Sequence, residues 1–91
     1  MEKNIIIKPG SDNVSRINVA EMILKPEETS ETLVCKDADI FYYVLAGFGT
    51  LKVDVYGYDL EPQIAIYIPK GTPHTIKNTG AREMFLVQYS A

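Results

Sequence analysis

The chain contains a single histidine, His74, and its setting is the strongest chemical signal in the sequence. It sits in Pro69-Lys70-Gly71-Thr72-Pro73-His74-Thr75-Ile76-Lys77-Asn78. Pro69 lacks an N–H and ends the apolar run before it. Gly71 can take the positive φ that a tight turn often needs. Pro73 stiffens the backbone just before the imidazole. From His74 onward the residues alternate, so His74 and Ile76 share one strand face and Thr75 and Lys77 the other. Lys77 belongs in water, which turns His74 inward beside Ile76. An inward imidazole after such a turn is a ligand, a proton carrier near neutral pH or a satisfied core residue. A pocket-facing His74 could be replaced by Ala with little change in melting temperature, whereas a core His74 could not.

Few other side chains could do chemistry. Cys35 is the only cysteine, so the chain has no internal disulfide and no cysteine-rich zinc fold, although two chains could be cross-linked through it. Its basic neighbour Lys36 points to the opposite strand face, and Cys35 reads first as a small buried apolar residue. A Cys35–His74 nucleophile pair lacks a visible orienting group and an oxyanion hole. Tyr42 could offer a phenol to a ligand, although packing with a satisfied hydroxyl is the commoner fate. Tyr67 and Gln88 are further polar groups on strands whose facing the sequence leaves open. Glu27, Glu28 and Glu31 read as solvated loop acids, and Asp37 and Asp39 as turn residues. There is no phosphate-cradling Gly-rich loop, no Gly-x-Ser-x-Gly elbow and no Cys-x-x-Cys.

The spacing of Pro69, Gly71, His74 and Asn78 resembles the second motif of the cupin superfamily, Pro-x-Gly-x-x-His-x-x-x-Asn. That pattern also has a Gly six residues before the Pro, where this chain has Gln63. Phe41-Tyr42-Tyr43-Val44-Leu45-Ala46-Gly47 looks like the end of the first cupin motif, an aromatic-rich strand closing on Gly. The resemblance implies an all-β fold, a cupin-like jelly-roll β-barrel over residues 1–91 as a single domain, with His74 facing the interior. It also implies a divalent metal held by two His and a Glu of the first motif and the His of the second. Counted back from Gly47, the Glu position falls on Ile40. The two His positions fall on Leu33 and Cys35 or, in a register shorter by one, on Val34 and Lys36. Only His74 of the implied ligands is present. The expectation is therefore a barrel with no intact metal site and no cofactor. If a metal were held, His74 and Cys35 would be its ligands, joined by Asp39 only across a bulge.

The elements that must position these groups are short strands. Ile5–Ile7 is a strand stopped by Pro9-Gly10, and Ser11-Asp12-Asn13 is a turn. Ile17–Leu24 is a strand with Ala20, Met22 and Leu24 on one face. Thr32–Cys35 is a short strand. Ile40–Leu45 is apolar on both faces and reads as a deep strand, with Ile40, Tyr42 and Val44 inward. Leu51, Val53 and Val55 alternate inward, and Gly57-Tyr58-Asp59 is the next turn. Ile64–Ile68 and Met84–Tyr89 are strands, with a hairpin turn at Asn78-Thr79-Gly80. No segment carries the apolar spacing of a helix over three turns, so residues alone lead to a small sandwich or barrel.

A chain of 91 residues, 46% hydrophobic, has a core but a thin stability margin. A net charge of −3 without a Lys/Arg cluster excludes nucleic acid as the main partner. No apolar run nears the ~20 residues of a membrane span, and Ile5–Ile7 is too short for a signal peptide, which points to the cytosol and no membrane partner. The expected function is binding of a small organic ligand in an interior lined by Val44, Val53, Ile66, Ile76 and Leu86. His74, Tyr42 and Cys35 are its expected contacts. The alternative is a metal-dependent cupin enzyme, an isomerase or dioxygenase, with substituted ligands. A homodimer through edge strands or packed sheet faces is the expected assembly.

Overall fold

Strands that each bury one face need partners, and these segments pair into two antiparallel sheets. The structure is a computed structural model that describes residues 1–7 and 18–91. The strands are β1 (Glu2–Ile7), β2 (Asn18–Leu24), β3 (Ile40–Ala46), β4 (Gly49–Val53), β5 (Tyr56–Leu60), β6 (Ala65–Ile68), β7 (Thr75–Asn78) and β8 (Met84–Ser90). The larger sheet runs β1-β2-β8-β3-β6 and the smaller β5-β4-β7. The expected turn at Ser11-Asp12-Asn13, its neighbour Pro9-Gly10 and Ile17 lie outside the described residues. Among the described residues there is no helix, and so none long and apolar enough to cross a membrane.

Alternation decides the core. On β2 the Ala20, Met22 and Leu24 side chains are buried, on β3 Ile40, Tyr42 and Val44, and on β8 Met84, Leu86 and Gln88. Leu51, Leu60, Ile68 and Ile76 close the cluster from the other strands. Fully burying one such aliphatic side chain contributes about 1.5–3 kcal/mol, so this cluster is the main stabilising term. Val44, Ile76 and Leu86 belong to this packed cluster, and Val53 and Ile66 lie half-buried against it.

Several expected details differ. Strand β3 is not deep on both sides, because its outer residues Phe41 and Leu45 are about half exposed, at 45% and 49%. Val55 is not inward but 78% exposed. It sits with Asp54 in the two-residue turn between β4 and β5, and Asp54 takes a φ of 56°. Gly57-Tyr58-Asp59 consequently lies within β5 and is not a turn. Asn78 ends β7 with its side chain buried, and the loop after it crosses to the other sheet instead of forming a hairpin. Thr32–Cys35 is not a full strand. It belongs to a longer extended segment bridged to β7 at Thr29↔Lys77 and Leu33↔His74. Within that segment Ser30 N–H donates to the Ile76 carbonyl at 2.8 Å, and the Ser30 hydroxyl accepts the Ile76 N–H at 2.9 Å.

Candidate functional site

The turn before His74 is built as its residues require. Gly71 adopts a φ of 79° and donates its N–H to the Cys35 carbonyl at 2.7 Å. His74 N–H and C=O pair with Leu33, so the imidazole projects from a fixed backbone. His74 is 2% exposed and faces the interior with Ile76 and Asn78. Asn78 has a structural part. Its Nδ2 donates to the Leu24 and Arg82 carbonyls, and its Oδ1 accepts the Gly80 N–H, which ties down the crossover loop. At Gln63, where the motif pattern has Gly, the backbone still takes a positive φ of 73°. The turn conformation therefore survives without the residue that suits it best, and Gln63 N–H is held by the Val44 carbonyl at 2.8 Å. Gly47 keeps its Gly, with a φ of 95° and no room for a Cβ, which would lie 2.8 Å from Met84 Cα.

The polar roles at His74 can be assigned. Its Nδ1 is 2.9 Å from the Thr72 carbonyl, which only accepts, so Nδ1 carries a proton. Burial lowers the His74 pKa, and the bond to Thr72 opposes this in part. The ring is therefore neutral at pH 7 and Nε2 is an acceptor. Tyr42 Oη lies 2.6 Å away and donates to it, and Gln88 Nε2 donates to Tyr42 Oη at 3.1 Å. The Tyr42 and His74 rings meet edge to face. Desolvation pushes the Tyr42 pKa up to about 12, against a lowering by the Gln88 bond. The result is a buried, directed chain from the Gln88 amide through Tyr42 and His74 to the Thr72 carbonyl.

That chain ends at a cavity. A space of about 170 Å³ opens at one end of the larger sheet, lined by Lys3, Asn18, Cys35, Ile40, Gln88 and Ser90 among others. Cross-strand register explains the convergence. Asn18 pairs Ser90 and Ser90 pairs Ile40, while Gln88 pairs Tyr42 one rung deeper. Of the three residues expected to contact a ligand, only Cys35 lines this mouth. His74 and Tyr42 lie behind Gln88 and reach the cavity through it. Gln88 turns inward and Tyr67 outward, at 7% and 50% exposure. Lys3, Asn18 and Ser90 carried no recognisable signal in the sequence.

The residues at the implied metal positions do not suit a metal. Leu33 and Cys35 lie against the core while Val34 is 44% exposed, which selects the first of the two registers. Leu33 and Ile40 have no donor atom. The His74 Nε2 lone pair already accepts from Tyr42, and a phenol with a pKa near 12 is a poor source of phenolate. Asp39 is no substitute, since β3 pairs without a bulge at Ile40 and the Asp39 carboxylate accepts the Lys70 N–H at 2.9 Å. Among the described residues no three His, Cys, Asp or Glu gather. Both His74 nitrogens are engaged elsewhere, so Cys35 has no base there either.

Comparison with known proteins agrees with this architecture. The chain is 38% identical over 53 residues to the uncharacterized protein MJ1618 of Methanocaldococcus jannaschii, a match over 56% of this chain and 42% of that protein. The chain thus spans under half of that relative's length. Its fold matches the crystal structure of TT1209 from Thermus thermophilus with a TM-score of 0.85 at 25% identity, over 100% of this chain and 82% of that one. A conserved protein with a double-stranded β-helix domain from Klebsiella pneumoniae matches with a TM-score of 0.88 at 13% identity, over 99% and 75% of the two chains. The family model described as "Cupin domain" matches residues 20–88, which hold both motif-like stretches, strands β3 to β7 and most of β2 and β8, and the chain belongs to the cupin domain family.

Proposed function

We propose that this cupin binds a small organic ligand at the polar mouth of its barrel and does so without a metal centre. The observation that carries the reading is the cavity lined by Lys3, Asn18, Gln88 and Ser90 at the end of a barrel whose core cluster is apolar. Polar groups gathered in a concave site orient a ligand, whereas the apolar cluster beneath serves packing. The first motif's ligand positions, Leu33, Cys35 and Ile40, form part of the same wall, so space left by lost metal ligands is given to the ligand itself. Cys35 acts here as a contact, and His74 and Tyr42 support Gln88 from behind. The single unpaired thiol fits a cytosolic setting.

Ligand-observed NMR against a mixture of small metabolites tests the binding reading, with Gln88→Leu as the control. Binders lost in that variant support it, and an absence of binders at millimolar concentration overturns it. Elemental analysis of untagged protein purified without chelators tests the metal-free part. About one metal per chain, lost in His74→Ala, would restore the isomerase or dioxygenase alternative.

We propose in addition that a second copy covers the outer face of the larger sheet. Phe41, Tyr67 and Tyr89 form an exposed row there, and the Phe41 and Tyr67 rings lie 4.9 Å apart. On the outward positions of β2, β3, β6 and β8, Glu21 is the one charged residue, and a face so poor in charge suits an equally uncharged partner. Light scattering should give a dimer that Phe41→Ser with Tyr89→Ser dissociates; a monomeric wild type at micromolar concentration would sink this reading.

A further inference from the structure

The mouth has a chemical bias that narrows its ligand, granted the binding reading above. Lys3 is the one charged residue among the described residues lining the cavity. Strand alternation separates it from Glu2 and Asn4, which bond to each other at 2.9 Å on the opposite face. Among the described residues Lys3 forms no salt bridge. An ammonium with no carboxylate partner at the rim of a small cavity attracts an anion.

Deeper in, Asn18 lines the same cavity and its Oδ1 is buried without a hydrogen-bond partner, alone among the buried side-chain polar atoms described. A buried acceptor left unpaired is costly. It then needs a donor from whatever fills the space. Ser90, 9% exposed, and the Gln88 amide stand on the adjacent rungs. A volume of about 170 Å³ holds a handful of non-hydrogen atoms, since a water takes up about 30 Å³.

We propose that the mouth takes a short-chain 2-hydroxycarboxylate, with its carboxylate facing Lys3 and its hydroxyl donating to Asn18 Oδ1. The carboxylate supplies the missing negative charge. The hydroxyl supplies the missing donor on the neighbouring carbon. Binding also draws on the Gln88 amide, and so disturbs the Gln88–Tyr42–His74 chain.

Titration of the ¹⁵N-labelled full chain with glycolate, followed on the Gln88 side-chain amide and His74 ring signals, tests this. Acetate and glycolamide, which lack the hydroxyl and the charge respectively, are titrated in parallel. Glycolate should saturate, acetate and glycolamide should each bind about five- to tenfold more weakly, and Lys3→Gln should remove the difference between glycolate and glycolamide. Lys3 is exposed on an edge strand, so this variant keeps the fold. Equal binding of glycolate and glycolamide would overturn the charge assignment, and equal binding of acetate and glycolate the hydroxyl assignment, while either leaves the mouth as a ligand site. No saturable shift with any of the three, while other metabolites bind in the Gln88-dependent screen, would overturn the ligand class alone. No binding in either experiment would overturn the site as well.

Discussion

The inner faces of β2, β8 and β3 carry two different surfaces at their two ends. At one end Asn18, Ser90, Gln88 and Tyr42 stand on adjacent rungs, backed by His74. At the other, Met22, Leu86, Val44, Leu24 and Met84 fill the next rungs, all fully buried. Strand direction, pairing and alternation are common to both ends. The difference lies in what each asks of its neighbours. The apolar end needs only volume, and shape errors there cost free energy in proportion to the space left empty. The polar end needs each donor to find an acceptor, and only there does an unmet acceptor, Asn18 Oδ1, remain. One end holds the barrel together, and the other has bonding capacity to spare.

Substitutions at matched depth can break that comparison. Leu86→Ala, at the apolar end, should destabilise by about 2–5 kcal/mol in urea unfolding. A loss under about 1 kcal/mol would mean that the apolar end is loosely packed. Tyr42→Phe removes only an oxygen, leaving His74 Nε2 without its donor and Gln88 without its acceptor. It should cost about 1–3 kcal/mol. No measurable loss would show that the chain to His74 adds nothing to stability. The same logic predicts that His74→Ala lowers the melting temperature, contrary to the small effect expected of a freely pocket-facing histidine.

Acid offers a finer probe. Burial lowers the His74 pKa from its ordinary 6.5, so below that value the unfolded chain binds a proton that the folded chain resists. The contribution of His74 is fully present above pH 6.5 and is lost as the pH falls from there toward the depressed folded value. Stability should therefore decline as the pH falls below 6.5, and His74→Gln should flatten that slope. An unchanged slope in the variant would assign the decline to other groups. The smallest effect is spectroscopic. Tyr42 should ionise near pH 12, so its step in an alkaline absorbance titration should come late and vanish in Tyr42→Phe.

Much of the inward facing was readable beforehand. Ile40, Tyr42 and Val44 share a face because a strand has a period of two, and His74 with Ile76 follows from Lys77 needing water. The facing of Gln88 at the polar end was not readable. Met84-Phe85-Leu86-Val87-Gln88-Tyr89 is apolar on both faces, so alternation could not say which way Gln88 points. The turn between β4 and β5 was misplaced because Gly57 is the obvious turn residue, whereas the structure puts a positive φ on Asp54, an amino acid that tolerates it.

Residue types and short-range spacing were enough to specify a small all-β barrel or sandwich, which the resemblance to the cupin motifs narrowed to a cupin-like barrel, together with the turn that presents His74 and the absence of histidine and glutamate from the implied metal positions. All of these are local properties. Which of the two first-motif registers faces inward is not local, and it took the folded chain to place Leu33 and Cys35 inside and Val34 outside. Folding likewise brought Lys3, Asn18, Gln88 and Ser90 to one mouth and gave His74 Nε2 to Tyr42. The physical reason is register. Strands far apart in the chain are aligned by burial of the whole core, and a shift of one residue would turn every one of these side chains to the other face.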